Sequence, residues 1–113
     1  MSHLRRERLR QTARFVAIQQ QGRWVRGQQL RVGVLASGLA VVRMGMRVER
    51  GVGTAVERNR AKRLLRQAFR QVSILPPGYD ILAVILNTKH GRYCSDRMSR
   101  ELHDALTKIV VRK

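Results

Sequence analysis

Between Thr54 and Val72 the chain interleaves Arg58, Asn59, Arg60, Lys62, Arg63, Arg66 and Arg70 with Ala61, Leu64, Leu65, Ala68, Phe69 and Val72. The apolar set recurs every third or fourth residue, the period of a single helical stripe. At about 100° per residue, with Ala61 at zero, Asn59, Arg63, Arg66 and Arg70 fall at about 160°, 200°, 140° and 180°. They share the face opposite the stripe, flanked by Arg60 and Lys62. Guanidiniums about one turn apart can meet successive phosphates of a nucleic acid, each contact releasing counterions. A basic face that is merely solvated is the plainer alternative. Arg58, at about 60°, sits on the margin of the stripe, where it either braces the helix against the adjoining loop or contacts RNA at the edge.

Groups able to cut a bond are scattered. His3, His90 and His103 lack the spacing of metal ligands and read as surface histidines. Asp80, Asp96 and Asp104 form no carboxylate pair suited to acid–base work, and Asp96 suits the start of a helix. Cys94 is the only cysteine, which leaves neither an intrachain disulfide nor a cysteine-based zinc site. We assign no catalytic residue and no metal ligand to the chain.

The elements that must hold the arginines follow from local pattern. Thr54-Ala55-Val56-Glu57 is a capping box, in which hydroxyl and carboxylate each satisfy a free backbone N–H. The helix it starts runs to Val72 or Ser73, because Pro76-Pro77-Gly78 forbids continuation. A first helix is expected from Arg8 to Gln20, with Leu9, Ala13, Val16, Ala17 and Gln20 along one side, Phe15 off that line, and Gly22 as its exit. Two alternating strands follow. Leu30, Val32 and Val34 oppose Arg31 and Gly33; Val42, Met44, Met46 and Val48 oppose Val41, Arg43, Gly45, Arg47 and Glu49. Ser37-Gly38 makes the two an antiparallel hairpin. Their polar faces form a shallow basic trough, or else a solvated sheet face; the glycines leave room for something to approach the backbone. Whether residues 23–28 hold another short strand stays open. Tyr79 to Leu86 is an apolar run, read as a strand covered on both faces, and 87–93 is a loop. Ser95 caps a last helix with an apolar stripe of Met98, Leu102, Ala105, Leu106 and Ile109. The order α-β-β-(β)-α-β-α gives an α+β two-layer sandwich: a sheet of about four strands with helices mainly on one face. Residues 1–7 are a basic tail and 8–113 one domain.

Composition points the same way. The chain has 113 residues, with 24 Lys plus Arg against 7 Asp plus Glu, a formal charge of +17. Such a charge repels itself, and a polyanionic partner relieves it. The bias to arginine suits bidentate phosphate contacts and stacking. No apolar run approaches the roughly 20 residues of a membrane-spanning helix, and Met1 to Arg10 lacks the apolar stretch of a signal peptide. The expectation is a cytoplasmic protein with a nucleic-acid partner, no membrane and no obligate protein partner.

The stretch from Gly53 to Arg70 closely resembles the signature of the bacterial ribonuclease P protein family: a Gly, then Ala-Val, one residue, Arg-Asn-Arg, one residue, Lys-Arg, and an apolar pair before Arg. The resemblance covers roughly residues 8 to 109. Phe15 with Gly22 is similar to the family's first helix and its exit, Arg43-Met44-Gly45-Met46 to the strand before the signature helix, and Tyr79-Asp80 with its apolar run to the later strand. The resemblance implies a four-stranded sheet with a left-handed β-α-β crossover, where general rules alone give a right-handed one. It implies that Arg58, Asn59, Arg60, Lys62, Arg63, Arg66 and Arg70 bind the catalytic ribonuclease P RNA. It implies also that a cleft between the first helix and the sheet, with Phe15, Arg31, Arg43, Arg47 and Arg50, receives the single-stranded 5′ leader of precursor tRNA. The RNA would hydrolyse the phosphodiester with magnesium ions, releasing tRNA with a mature 5′ end.

The cleft is where the chain departs from the family pattern. Gln19 stands where relatives carry a second aromatic and Gly33 where they carry a sheet aromatic; near Arg50, where they carry two consecutive lysines, Gly51 takes the second place and Glu49 adds an acid. Trp24 offers another aromatic surface, or else a core contact. Two other readings fit the charge alone: a ribosomal-type RNA-binding module, and a DNA-binding protein with its basic helix in a major groove. The signature favours ribonuclease P over both.

Overall fold

The computed structural model describes residues 6–9, 12–72, 77–88 and 92–111. The strands are β1 (Arg6–Arg8), β2 (Arg23–Arg26), β3 (Leu30–Ala36), β4 (Val42–Val48) and β5 (Tyr79–Ile85). The helices are α1 (Thr12–Gln21), α2 (Ala55–Gln71) and α3 (Ser95–Leu106), the last continued by a π-helical turn, Thr107–Val111.

The sheet order is β1-β4-β5-β3-β2. β5, the most uniformly apolar strand, takes the centre, where neighbours lie on both edges and side chains are covered on both faces. It runs antiparallel to β3 and parallel to β4. This corrects the hairpin expected from β3 and β4, since β5 lies between them and the strand-helix-strand path β4-α2-β5 is a parallel crossover. Ser37-Gly38 does turn the chain, with Gly38 at φ 76°, but the loop is tied to the start of β5: Ser37 N donates to Gly78 O (2.8 Å) and Gly78 N to Val41 O (3.0 Å). The true hairpin is β2–β3, which shows that the undecided stretch 23–28 does hold a strand. Its turn is braced by Glu101 of α3, whose carboxylate accepts from Gln29 N (3.0 Å) and Leu30 N (2.9 Å). The four longer strands match the expected count, and the three-residue β1 adds a fifth, parallel to β4.

One face of the sheet packs on α2 and α3. Leu30, Val32, Val34, Val42, Met44, Ile81, Ala83 and Ile85 meet Ala61, Leu65, Ala68, Phe69, Met98, Leu102 and Leu106. The stripes read from α2 and α3 both turn to this core, with Leu64 partly buried and the rest buried, while Cys94, without a side-chain bond, and not Ser95 occupies the cap position of α3. Among the described residues, the other face carries α1 alone, over Leu82 and Val84.

α1 differs from its expected form. It starts at Thr12, and Leu9 instead extends β1, its N–H donating to Met44 O (3.0 Å). A stripe phased on Leu9 is therefore out of register: Val16 is 41% exposed, whereas Ile18 is buried and Phe15 packs beside it.

Candidate RNA interface

α2 presents its cations as its periodicity requires. Thr54 caps it: Thr54 Oγ1 accepts from Glu57 N (3.2 Å) and Glu57 Oε1 accepts from Thr54 N (3.0 Å). The Thr54 backbone N–H, and then its hydroxyl, hold the Glu57 carboxyl below its ordinary value of 4.5. With the stripe buried, Asn59, Arg60, Arg63, Arg66 and Arg70 are exposed and Lys62 is half-buried. Arg58 is half-buried and its Nη1 donates to Glu49 O (3.3 Å), so it braces the helix against the loop after β4. Periodicity passed over Val56. It is 78% exposed at about 220° on the same wheel, an apolar spot amid the cationic face. Exposure of a large aliphatic in the first turn was legible from its angle alone.

The opposite face of the sheet is ordered in rows two residues apart. In one row Gly33, Leu82 and Gly45 stand in register, with Trp24 paired to Gly33 from β2. In the next, Arg31 and Arg47 flank Val84, with Arg26 paired to Arg31. In the third, Leu35 and Arg43 flank Asp80.

The two glycines seat the two aromatics. A Cβ at Gly33 would lie 2.5 Å from the Trp24 indole, and one at Gly45 would run into the Phe15 ring. Trp24 Nε1 donates to Ile18 O (3.2 Å), fixing the indole against the C-terminal turn of α1. Each ring then carries an arginine: the Arg31 guanidinium lies 4.5 Å from the indole centroid and that of Arg47 5.6 Å from the Phe15 centroid. Gly33 is thus covered by an aromatic from the neighbouring strand.

The third row is a clamp. Asp80 is fully buried and takes 2.7 Å bonds from Arg43 Nε and Nη2 and a 2.8 Å bond from Arg14 Nε. The sequence counts Arg43 with the cleft cations. The structure puts it on the cleft face but binds it to Asp80 with its side chain 14% exposed. That pairing depends on the β4–β5 register, which no local pattern reveals. Arg14, unremarked in the sequence, ties α1 to the sheet through the same carboxylate. Arg50 is exposed on the turn after β4, beside Gly51 at φ 88°, a left-handed position that disfavours a side chain there.

The two surfaces meet at a sheet edge. A hollow of about 470 Å³ is lined by Arg8, Leu9, Phe15, Met44, Met46 and Lys62, so Phe15 of α1 and Lys62 of α2 border one space. Among the described residues no three His, Cys, Asp or Glu side chains converge as metal ligands; His103 Nδ1 sits 3.6 Å from Asp104, and His3 and His90 lie outside the described residues.

An arginine-faced helix and an arginine-lined sheet face on one small α+β frame define a protein built to meet a polyanion. A profile of the family described as Ribonuclease P matches residues 4–110. The chain belongs to the ribonuclease P protein family. It is 36% identical over 84 residues to the ribonuclease P protein component of Thermotoga maritima, covering 74% of this chain and 72% of that one. It is 31% identical over 103 residues to that of Desulforapulum autotrophicum, covering 91% and 85%. The solved ribonuclease P protein from Thermotoga maritima superposes with a TM-score of 0.67 at 26% identity, covering 94% of this chain and 96% of that one. A Staphylococcus aureus ribonuclease P protein mutant with defective mRNA degradation activity shares the fold, with a TM-score of 0.71 at 23% identity over 89% and 86% of the two chains.

Proposed function

We propose that this chain is the protein subunit of a ribonuclease P ribonucleoprotein, in which it binds the catalytic RNA through α2 and the 5′ leader of precursor tRNA on the opposite sheet face. The observation that carries the reading is the division of α2, with Ala61, Leu65, Ala68 and Phe69 buried while Asn59, Arg60, Arg63, Arg66 and Arg70 stand outward. Family membership removes the need for the ribosomal-type and DNA-binding readings.

In this reading the endonucleolytic step and its magnesium ions belong to the RNA. The chain's own residues act by charge and position. Arginines on α2 offset the repulsion between catalytic RNA and substrate, and each neutralised phosphate adds to the salt dependence of assembly. The cleft cations hold the leader so that the scissile bond is presented in a fixed place, a contribution of orientation rather than of bond chemistry. Reconstitution with a bacterial ribonuclease P RNA tests this. The protein lowers the magnesium needed for cleavage and improves processing of leader-bearing precursor; a protein that does neither is not this subunit.

A further inference from the structure

Resting on that leader-binding reading, we propose that the cleft grips the leader through its phosphates, by two aromatic-backed guanidiniums, Arg31 on Trp24 and Arg47 on Phe15, and not by stacking of its bases. The indole is laid on the Gly33 backbone, held by its Nε1 bond to Ile18 O, and has the Arg31 guanidinium 4.5 Å from its centroid. The Phe15 ring is seated on Gly45 and has Arg47 over it. A base that stacks on the arginine-covered face of either ring must displace the guanidinium. A guanidinium stacked on a ring, by contrast, keeps its in-plane N–H groups free, and those are the donors that fit a phosphate.

Placement supports the same assignment. Arg31 and Arg47 both stand in register with Val84, one on each side of it. Two ladder spacings put their Cα atoms roughly 10 Å apart, so they address separate phosphates of one strand. Arg26, paired with Arg31 across β2–β3, adds a third positive charge to the row. The buried acid of this face, Asp80, is two rows away and bound by Arg14 and Arg43; among the described residues no salt bridge engages Arg31 or Arg47. Trp24 and Phe15 are then positioning residues, acting through the arginines they hold. A phosphate grip is indifferent to base identity.

Modified precursors test this on the native holoenzyme, so no variant has to fold. One precursor carries neutral methylphosphonate linkages through the leader, another carries abasic leader nucleotides, and a third lacks the leader. The methylphosphonate precursor binds about tenfold more weakly than the native one, as expected for losing charge-assisted bonds, while the abasic precursor stays within about twofold. An abasic penalty equal to or larger than the methylphosphonate penalty overturns the phosphate grip. Equal binding of native and leaderless precursors overturns the leader reading itself, and this inference with it. On the protein side, Trp24→Leu shrinks the methylphosphonate penalty as Arg31→Ala does, and the double variant adds nothing further. Additive losses, or a Trp24→Leu effect on leaderless precursor as well, would assign the indole a purely structural role.

Discussion

Arg43 and Asp80 face each other across the parallel β4–β5 pair, where the guanidinium donates two hydrogen bonds of 2.7 Å to the carboxylate, with Arg14 of α1 closing on the same carboxylate at 2.8 Å. The fully buried acid thereby joins two strands and the helix that carries Phe15. Asp80→Ala leaves two cations without their partner, a loss of about 2–3 kcal/mol, below the 3–5 usual for a fully buried pair because both arginines keep some solvent. Urea unfolding measures it, and a change under about 0.5 kcal/mol, the range of ordinary surface substitutions, would refute the clamp.

Arg63 and Arg66 stand on the exposed side of α2, clear of the core. The double variant Arg63→Ala/Arg66→Ala weakens binding of the catalytic RNA and lowers the slope of log K against log salt by about 0.7–0.9 per lost phosphate contact. Its unfolding midpoint stays at the native value. Lost affinity with an unchanged salt slope would mean that these residues do not meet phosphates.

Val56, 78% exposed, separates the fold's needs from the interface's. An acid in the first turn of a helix is favoured by the helix dipole, so Val56→Glu leaves thermal stability equal or slightly higher. The same change places a negative charge amid the cations and weakens catalytic-RNA binding in filter or mobility assays. Full affinity in this variant would place the RNA away from the start of α2.

The capping box gives a pH signature. Glu57 titrates below its ordinary value of 4.5 in the folded protein, because the Thr54 backbone N–H and hydroxyl favour its charged form. The unfolded chain therefore binds more protons between the two values, and the stabilisation is complete above the ordinary value and lost as pH falls through the lowered one. Acid unfolding curves of Glu57→Gln run flatter than native over that interval; superimposable curves would remove the box from the account. Thr54→Ala costs about 1 kcal/mol, read by denaturant unfolding at neutral pH.

The sequence by itself determined α2. A stripe at helical period and a capping box are properties of neighbours along the chain, so Ala61, Leu65 and Phe69 could be placed inward, and Arg63 and Arg66 outward, before any contact was known. α3 was legible for the same reason, and the signature identified the family. The cleft was not legible in this way. Phe15 took its place only because α1 starts at Thr12 and Leu9, hydrogen-bonded to Met44, lies outside it, so a stripe phased on Leu9 misses the buried face. Arg43 could be assigned to Asp80, 37 residues away, only once β5 was seen between β3 and β4. Trp24 could be seated on Gly33 only through the register of a strand too short to announce itself. Helix faces are fixed by bonds between near neighbours, whereas sheet rows are fixed by pairing between distant segments, and only the tertiary structure decides which strands meet and in what register.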